Sequence, residues 1–238
     1  MDLRGLADAI AAELRDRATP GRAEREKAYL KSPLEHLGTS VPAIRAVAKD
    51  VAGRHPALTH EDVVGLVDAL WSTPVHERRL AAVELLRLHG DRLGPEDLPL
   101  LGRLLRQGGT WALVDPLATA VVGPVLERHP ELSQVLDRWA ADDDFWLHRA
   151  SLLALLPALR RGEGDFARFS AYADQMLAER EFYLRKAIGC VLRDTARRRP
   201  DLVYRWLLPR ARRASGVTVR EAVKPMSEQQ RAAILGAR

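Results

Sequence analysis

Cysteine is almost absent from this chain: Cys190 stands alone among 238 residues, which excludes an intramolecular disulfide and a cysteine-only zinc site. Aromatic residues are scarce at 5%, yet five of them are tryptophan, so each tryptophan position carries weight. No apolar run approaches the ~20 residues that a membrane helix needs. The seven histidines are scattered, with no His-x-x-x-His pair and no carboxylate at ligand spacing, so no metal and no cofactor are expected. Glycine-rich phosphate loops and Walker-type lysines are missing, and neither strand-like alternation nor an Asn-Gly hairpin occurs. The opening MDLRGLADAIAAELRDR is amphipathic and contains acids, unlike a secretory or organellar signal. A soluble cytoplasmic protein is the expectation, without a membrane, without an obligate protein partner, and monomeric.

What remains is a helical pattern. The apolar share of 47% is that of an ordinary globular chain. Leu3, Leu6, Ala7, Ile10 and Leu14 recur at helical spacing and begin a first helix. Glu24–Lys31 reads as a short helix, and Ser40 caps one that carries Pro42 in its first turn and ends near Gly53. Thr59 caps a helix to Trp71, and Ser72-Thr73-Pro74 opens another to Leu88. Further helices are predicted over 96–106, 111–128, 131–140, 145–160, 165–178, 181–198 and 200–208, with two short ones after Ser215-Gly216. No linker divides the chain, so residues 1–238 are expected to form one domain.

Within this pattern four segments repeat: VHERRLAAVELL from Val75, TWALVDPLATAVV from Thr110, FWLHRASLLALL from Phe145 and FYLRKAIGCVL from Phe182. Their alignment puts Arg79, Asp115, Arg149 and Lys186 in equivalent positions, 36, 34 and 37 residues apart. Paired helices repeating at that length are the signature of an α-solenoid. Stacking would place the four residues in a row of three cations and one acid.

Charge supports a polyanionic partner. Residues 145–213 hold 15 Lys or Arg against 7 Asp or Glu, a balance of +8, whereas the remainder holds 22 against 25, a balance of −3. A basic half on a helical scaffold fits nucleic acid. Arg79, Arg149 and Lys186 could hold phosphates, which supply most DNA affinity and little sequence information. Asp115 would repel phosphate, so its presence needs a reason. Trp111 lies four residues before it, on the same helix face. On the residues alone two readings stay open: Asp115 pairs with Arg149 and orders the groove, or it faces a substrate that is cationic and joined to phosphate. Pro116 disfavours helical geometry at Asp115 and removes a backbone donor.

In these residues the chain resembles the AlkD-like family of HEAT-repeat DNA glycosylases. The likeness rests on AYLKSPLEHLGTSVPAIRAVAKDV at 28–51, TWALVD at 110–115, WLHRASLLALL at 146–156, FYLRKAIGCVLRD at 182–194 and REAVKPMSEQQRAAIL at 220–235. It runs through nearly the whole chain in order. The resemblance implies an all-α, right-handed α-solenoid of HEAT-like repeats with a concave basic groove. It also implies a monofunctional DNA glycosylase, with duplex DNA containing purines alkylated at N3 or N7 as partner. By the same resemblance Asp115 is the catalytic carboxylate, Trp111 an aromatic wall against the lesion's sugar, and Arg149 a companion that positions Asp115 or the DNA backbone. Arg79, Lys186, Arg193 and Arg197 are expected to bind DNA. One position departs from the family: after KAIG a second tryptophan is common, and here Cys190 stands. Phe182 or Tyr183 could supply the missing aromatic face. The departure keeps a second reading open, a HEAT-repeat protein that binds damaged or branched DNA without catalysis. A third is a solenoid that binds another protein.

Other residues are expected to be structural. Cys190 lies in apolar AIGCVL, where thiols are inert. Asp142–Asp144 reads as an N-cap cluster, and Trp71, Trp139 and Trp206 lie on apolar stripes. Arg197–Arg199 and Arg210, Arg212 and Arg213 either clamp phosphates or are solvated helix ends.

Overall fold

A computed structural model describes residues 1–238. It is all-α: apart from the two isolated bridges Ala18–Thr39 and Glu35–Val75, the backbone pairs within helices and turns. The chain falls into two units, Met1–Val121 and Val122–Arg238.

The first unit contains α1 (Leu3–Asp16), α2 (Arg22–Leu30), α3 (Val41–Arg54), α4 (His60–Trp71), α5 (His76–Leu88), α6 (Leu98–Arg106) and α7 (Trp111–Leu117). The predicted caps form. Ser40 Oγ accepts from Ala43 N at 3.3 Å, and Thr59 and Asp62 bond reciprocally in a capping box. α4 packs on α5 and α1, α3 on α5, α5 on α7, and α6 on α7. Each pair presents one helix to the next, the pattern of a helical repeat. Ile10, Leu14, Ile44, Leu70 and Trp71 are buried at its centre.

The loop between α2 and α3 is held by one buried acid. Glu77, in the first turn of α5, is fully buried. Its Oε2 accepts from Leu37 N at 2.9 Å, and its Oε1 accepts from Gly38 N at 2.7 Å and Thr39 N at 3.3 Å. Gly38 has φ of 90°, and a Cβ there would lie 3.0 Å from Ala23 N, so this turn requires glycine. The Leu-Gly-Thr of the 28–51 motif is therefore a cradle for a carboxylate, satisfied three times over.

The second unit contains α8 (Gly123–Arg128), α9 (Gln134–Ala140), α10 (Phe145–Leu153), α11 (Leu156–Arg161), α12 (Phe166–Met176), α13 (Phe182–Ala196), α14 (Pro200–Leu207), α15 (Gly216–Ala222) and α16 (Glu228–Gly236). α10 packs on α9 and α13, and α13 packs on α11, α12, α14 and α15. Asp144 caps α10, accepting from Trp146 N at 2.8 Å. Trp139 and Trp206 are buried, as the apolar stripes predict.

Three details differ from the sequence reading, and each lies beside a proline. The helix predicted over 145–160 is two helices, α10 and α11, because Pro157 has no N–H for the Leu153 carbonyl. The helix predicted over 111–128 contains a π-turn at Ala118–Val122, directly after Pro116. Asp115 itself is helical, contrary to the expected effect of Pro116. Leu113, Val114 and Leu117 of the same helix are completely buried, and that burial outweighs the local preference.

Candidate active site

α7 starts at a cap and carries both residues of the Trp-x-x-x-Asp element. Thr110 Oγ1 accepts from Ala112 N at 3.3 Å and fixes the first turn. Trp111 and Asp115, one turn apart, are both half-buried. Thr119 Oγ1 donates to the Asp115 carbonyl at 2.7 Å, which occupies a backbone acceptor where the π-turn begins. Trp111 and Asp115 border one cavity of about 320 Å³, whose other walls include Glu26, Tyr29, Ile44, Arg45 and His76.

Tyr29 is the residue that sequence reasoning missed. It is 73% exposed, and its ring meets Trp111 edge to face with centroids 6.1 Å apart. It lies within the 28–51 motif, but a separation of 82 positions in the chain hides the pairing. Its signal was local: an aromatic on the polar side of a short, charged helix.

Arg79 is turned to internal work. It donates to the Gln107 carbonyl at 2.5 Å, and its guanidinium lies 5.0 Å from the Trp71 ring centre. Burial pushes its pKa down from the ordinary arginine value. The residue ties α5 to the end of α6, on the helix next to the one that carries Asp115.

In the second unit Arg149 is 5% exposed and donates through Nη1 to the Tyr183 carbonyl. It therefore joins α10 to the first turn of α13. Tyr183 stacks on Trp146 at 6.1 Å, and Phe182, half exposed, meets Tyr183 edge-on at 5.6 Å. Lys186, Cys190, Arg193 and Arg197 follow at helical spacing along one face of α13. Lys186 is exposed, with its ammonium 5.9 Å from the Phe182 ring centre. Arg193 is engaged by Asp194 at 2.9 Å and Glu221 at 2.7 Å. Arg197 is solvated, and only a long 3.9 Å contact links it to Asp194. Arg210 is clamped by both oxygens of Asp174 at 2.5 and 2.7 Å. Of the basic residues singled out on this face of α13, Lys186 and Arg197 keep their cations in solvent.

Cys190 is half-buried, and burial pushes its thiol above the ordinary value, the opposite of an activated nucleophile. Its neighbour Gly189 explains the local packing: a Cβ there would lie 2.9 Å from Glu221 Cβ and 3.0 Å from the Thr218 carbonyl oxygen. α13 and α15 thus meet closely beside Cys190.

The comparison with known families decides the identity. A family described as DNA alkylation repair enzyme matches residues 10–226. The chain belongs to that family. A predicted DNA alkylation repair enzyme from Enterococcus faecalis shares its fold, with a TM-score of 0.80 at 20% identity over 89% of this chain and 98% of that one. AlkD2 from Streptococcus mutans aligns with a TM-score of 0.60 at 18% identity, over 85% and 98% of the two chains. The protein smu.31 from Streptococcus mutans UA159 aligns at 0.53 and 17%, over 82% and 96%. No curated protein matches the sequence. Membership in the alkylation repair family supports a role in the repair of alkylated DNA. No helix of this repair-family chain is long and apolar enough to cross a membrane.

Proposed function

We propose that this protein is a monofunctional DNA glycosylase that hydrolyses the N-glycosidic bond of cationic N3- or N7-alkylated purines in duplex DNA. The observation that carries the reading is the pairing of Trp111 and Asp115 on one helix face, at the wall of one cavity. An alkylated purine of this kind already bears positive charge and departs as a neutral base without a protein acid. As the C1′–N bond breaks, the sugar becomes oxocarbenium-like, and water adds at C1′. A carboxylate ~4 Å from that cation, at an effective dielectric near 20, contributes roughly 4 kcal/mol, on the order of a thousandfold in rate. The indole and the Tyr29 ring offer π-faces worth about 1 kcal/mol to the same charge. Lys186 and Arg197 supply solvated cations for backbone phosphates. Arg149 acts as a positioning residue, holding the aromatic turn that opens α13.

The deciding experiment is release of 7-methylguanine and 3-methyladenine from methylated duplex DNA, wild type beside Asp115→Asn. The expected result is free base and an unbroken abasic strand from wild type, with no release from the variant and DNA affinity retained. Cys190 favours a second reading, a protein that binds damaged DNA without excising the base, since a thiol cannot supply the flat face of a tryptophan. Tight duplex binding with no release from wild type selects that reading. No duplex binding at low salt sinks both.

A further inference from the structure

Beside the cavity, three side chains from separate parts of the first unit converge. Glu26 lies on α2, His36 on the loop between α2 and α3, and Glu77 at the start of α5. One ligand atom from each can be chosen so that all three lie within 4.8 Å of one another. We propose that Glu26, His36 and Glu77 form a binding site for a divalent transition-metal cation, which braces α2 and the Tyr29 ring against Trp111.

The polar atoms of this cluster call for an additional partner. His36 is 9% exposed, and both of its ring nitrogens are buried without a hydrogen-bond partner. A buried polar atom left in that state is uncommon and calls for an explanation. The ring of His76 stacks on His36 with centroids 4.5 Å apart and planes 6° from parallel, and its Nδ1 is likewise buried and unpartnered.

Charge and valence are also suitable. Glu77 is fully buried, and three backbone N–H groups orient its carboxylate, the outer-shell support that metal ligands need. Its Oε2 accepts one of those bonds and keeps a lone pair. Glu26 Oε1 pairs with Arg22 Nη2 at 2.5 Å, and one oxygen of its carboxylate lies within 4.8 Å of the ligand atoms of His36 and Glu77. One imidazole and two carboxylates are a donor set for zinc, cobalt, iron or manganese, with a fourth position for water. Glu26 sits three residues before Tyr29 on α2, so an ion here would pin the turn that carries the exposed ring. This inference is independent of the reaction proposed above.

The test uses the tag-free full-length chain, stripped with a chelator and titrated with zinc by calorimetry, with cobalt(II) as an optical probe. We expect one zinc per chain, a melting temperature that rises with zinc concentration, and a cobalt d–d band from an imidazole-bound ion. His36→Asn and Glu26→Gln should each weaken zinc more than about tenfold and remove the band. Glu26 is partly solvated, so its variant keeps the test valid if His36→Asn fails to fold. A second cluster, His60 with Glu96 and Asp97, is the control, because His60 Nε2 is already bonded to Asp97 at 2.9 Å. Failure of the wild-type chain to bind zinc overturns the proposal. So does binding that survives both variants, or binding that is lost in His60→Asn instead.

Discussion

The ring of Tyr29 stands at 82° to the indole of Trp111, so a residue of α2 and a residue of α7 form one aromatic corner beside Asp115. Such an edge contact is worth about 0.5–1.5 kcal/mol. Tyr29→Ala should therefore lower the rate of excision roughly 2- to 10-fold, whereas Tyr29→Phe, which keeps the ring, should match wild type. Single-turnover release of 7-methylguanine measures both. Equal loss in the two variants would show that the hydroxyl acts, and the corner does not.

The cations of α13 divide into solvated and engaged ones. Lys186→Ala and Arg197→Ala should each reduce the slope of log affinity against log salt by about 1. Arg193 already holds Asp194 and Glu221, so its replacement should act chiefly on stability. Fluorescence anisotropy of a labelled duplex across a salt series separates the two classes. A slope unchanged in both single variants would remove α13 from the DNA interface.

Gly189→Ala tests the close approach of α13 to α15. In an open helix the change would stabilise by nearly 1 kcal/mol. Here the new Cβ would lie 3.0 Å from a backbone carbonyl oxygen and 2.9 Å from Glu221 Cβ, and neither can move without shifting α15. Overpacking should win, with a net loss of about 1–3 kcal/mol in urea unfolding. A variant as stable as wild type would mean that α15 yields easily.

Acid sensitivity should trace to Asp194. Burial pushes its carboxyl up, but hydrogen bonds from Arg193 and Arg160 outweigh that and hold it below its ordinary 3.8. The folded state therefore binds fewer protons than the unfolded state near that pH. The stabilisation is fully present above about pH 4 and lost as pH falls below 3.8 through the lower folded value. Asp194→Asn should cost about 1–3 kcal/mol at neutral pH and flatten the acid limb of the stability curve. Thermal melts from pH 7 to pH 2 measure both effects.

Helix existence was legible in the sequence, because it depends on spacing and caps: Ser40, Thr59 and Asp144 each cap the helix that their position foretold. The Trp111–Asp115 pair was legible for the same reason, since four residues on a helix always share a face. Proline effects were harder to read. Pro157 broke a helix, whereas Pro116 left Asp115 helical and was followed by a π-turn.

What spacing could not show is what each polar group faces. Arg79 and Lys186 occupy equivalent repeat positions, yet one is packed on Trp71 and bonded to Gln107, while the other reaches solvent. Tertiary packing made Glu77 the buried anchor of residues 37–39. Tyr29 beside Trp111, and Glu26 with His36 and Glu77, join residues far apart in the chain. Local sequence determined the helices, their caps and the face that each presents, because those interactions span a turn or less. Only the packed structure decided which charges remain in solvent and which aromatics and histidines meet, because burial and distance are properties of neighbours that the chain brings from afar.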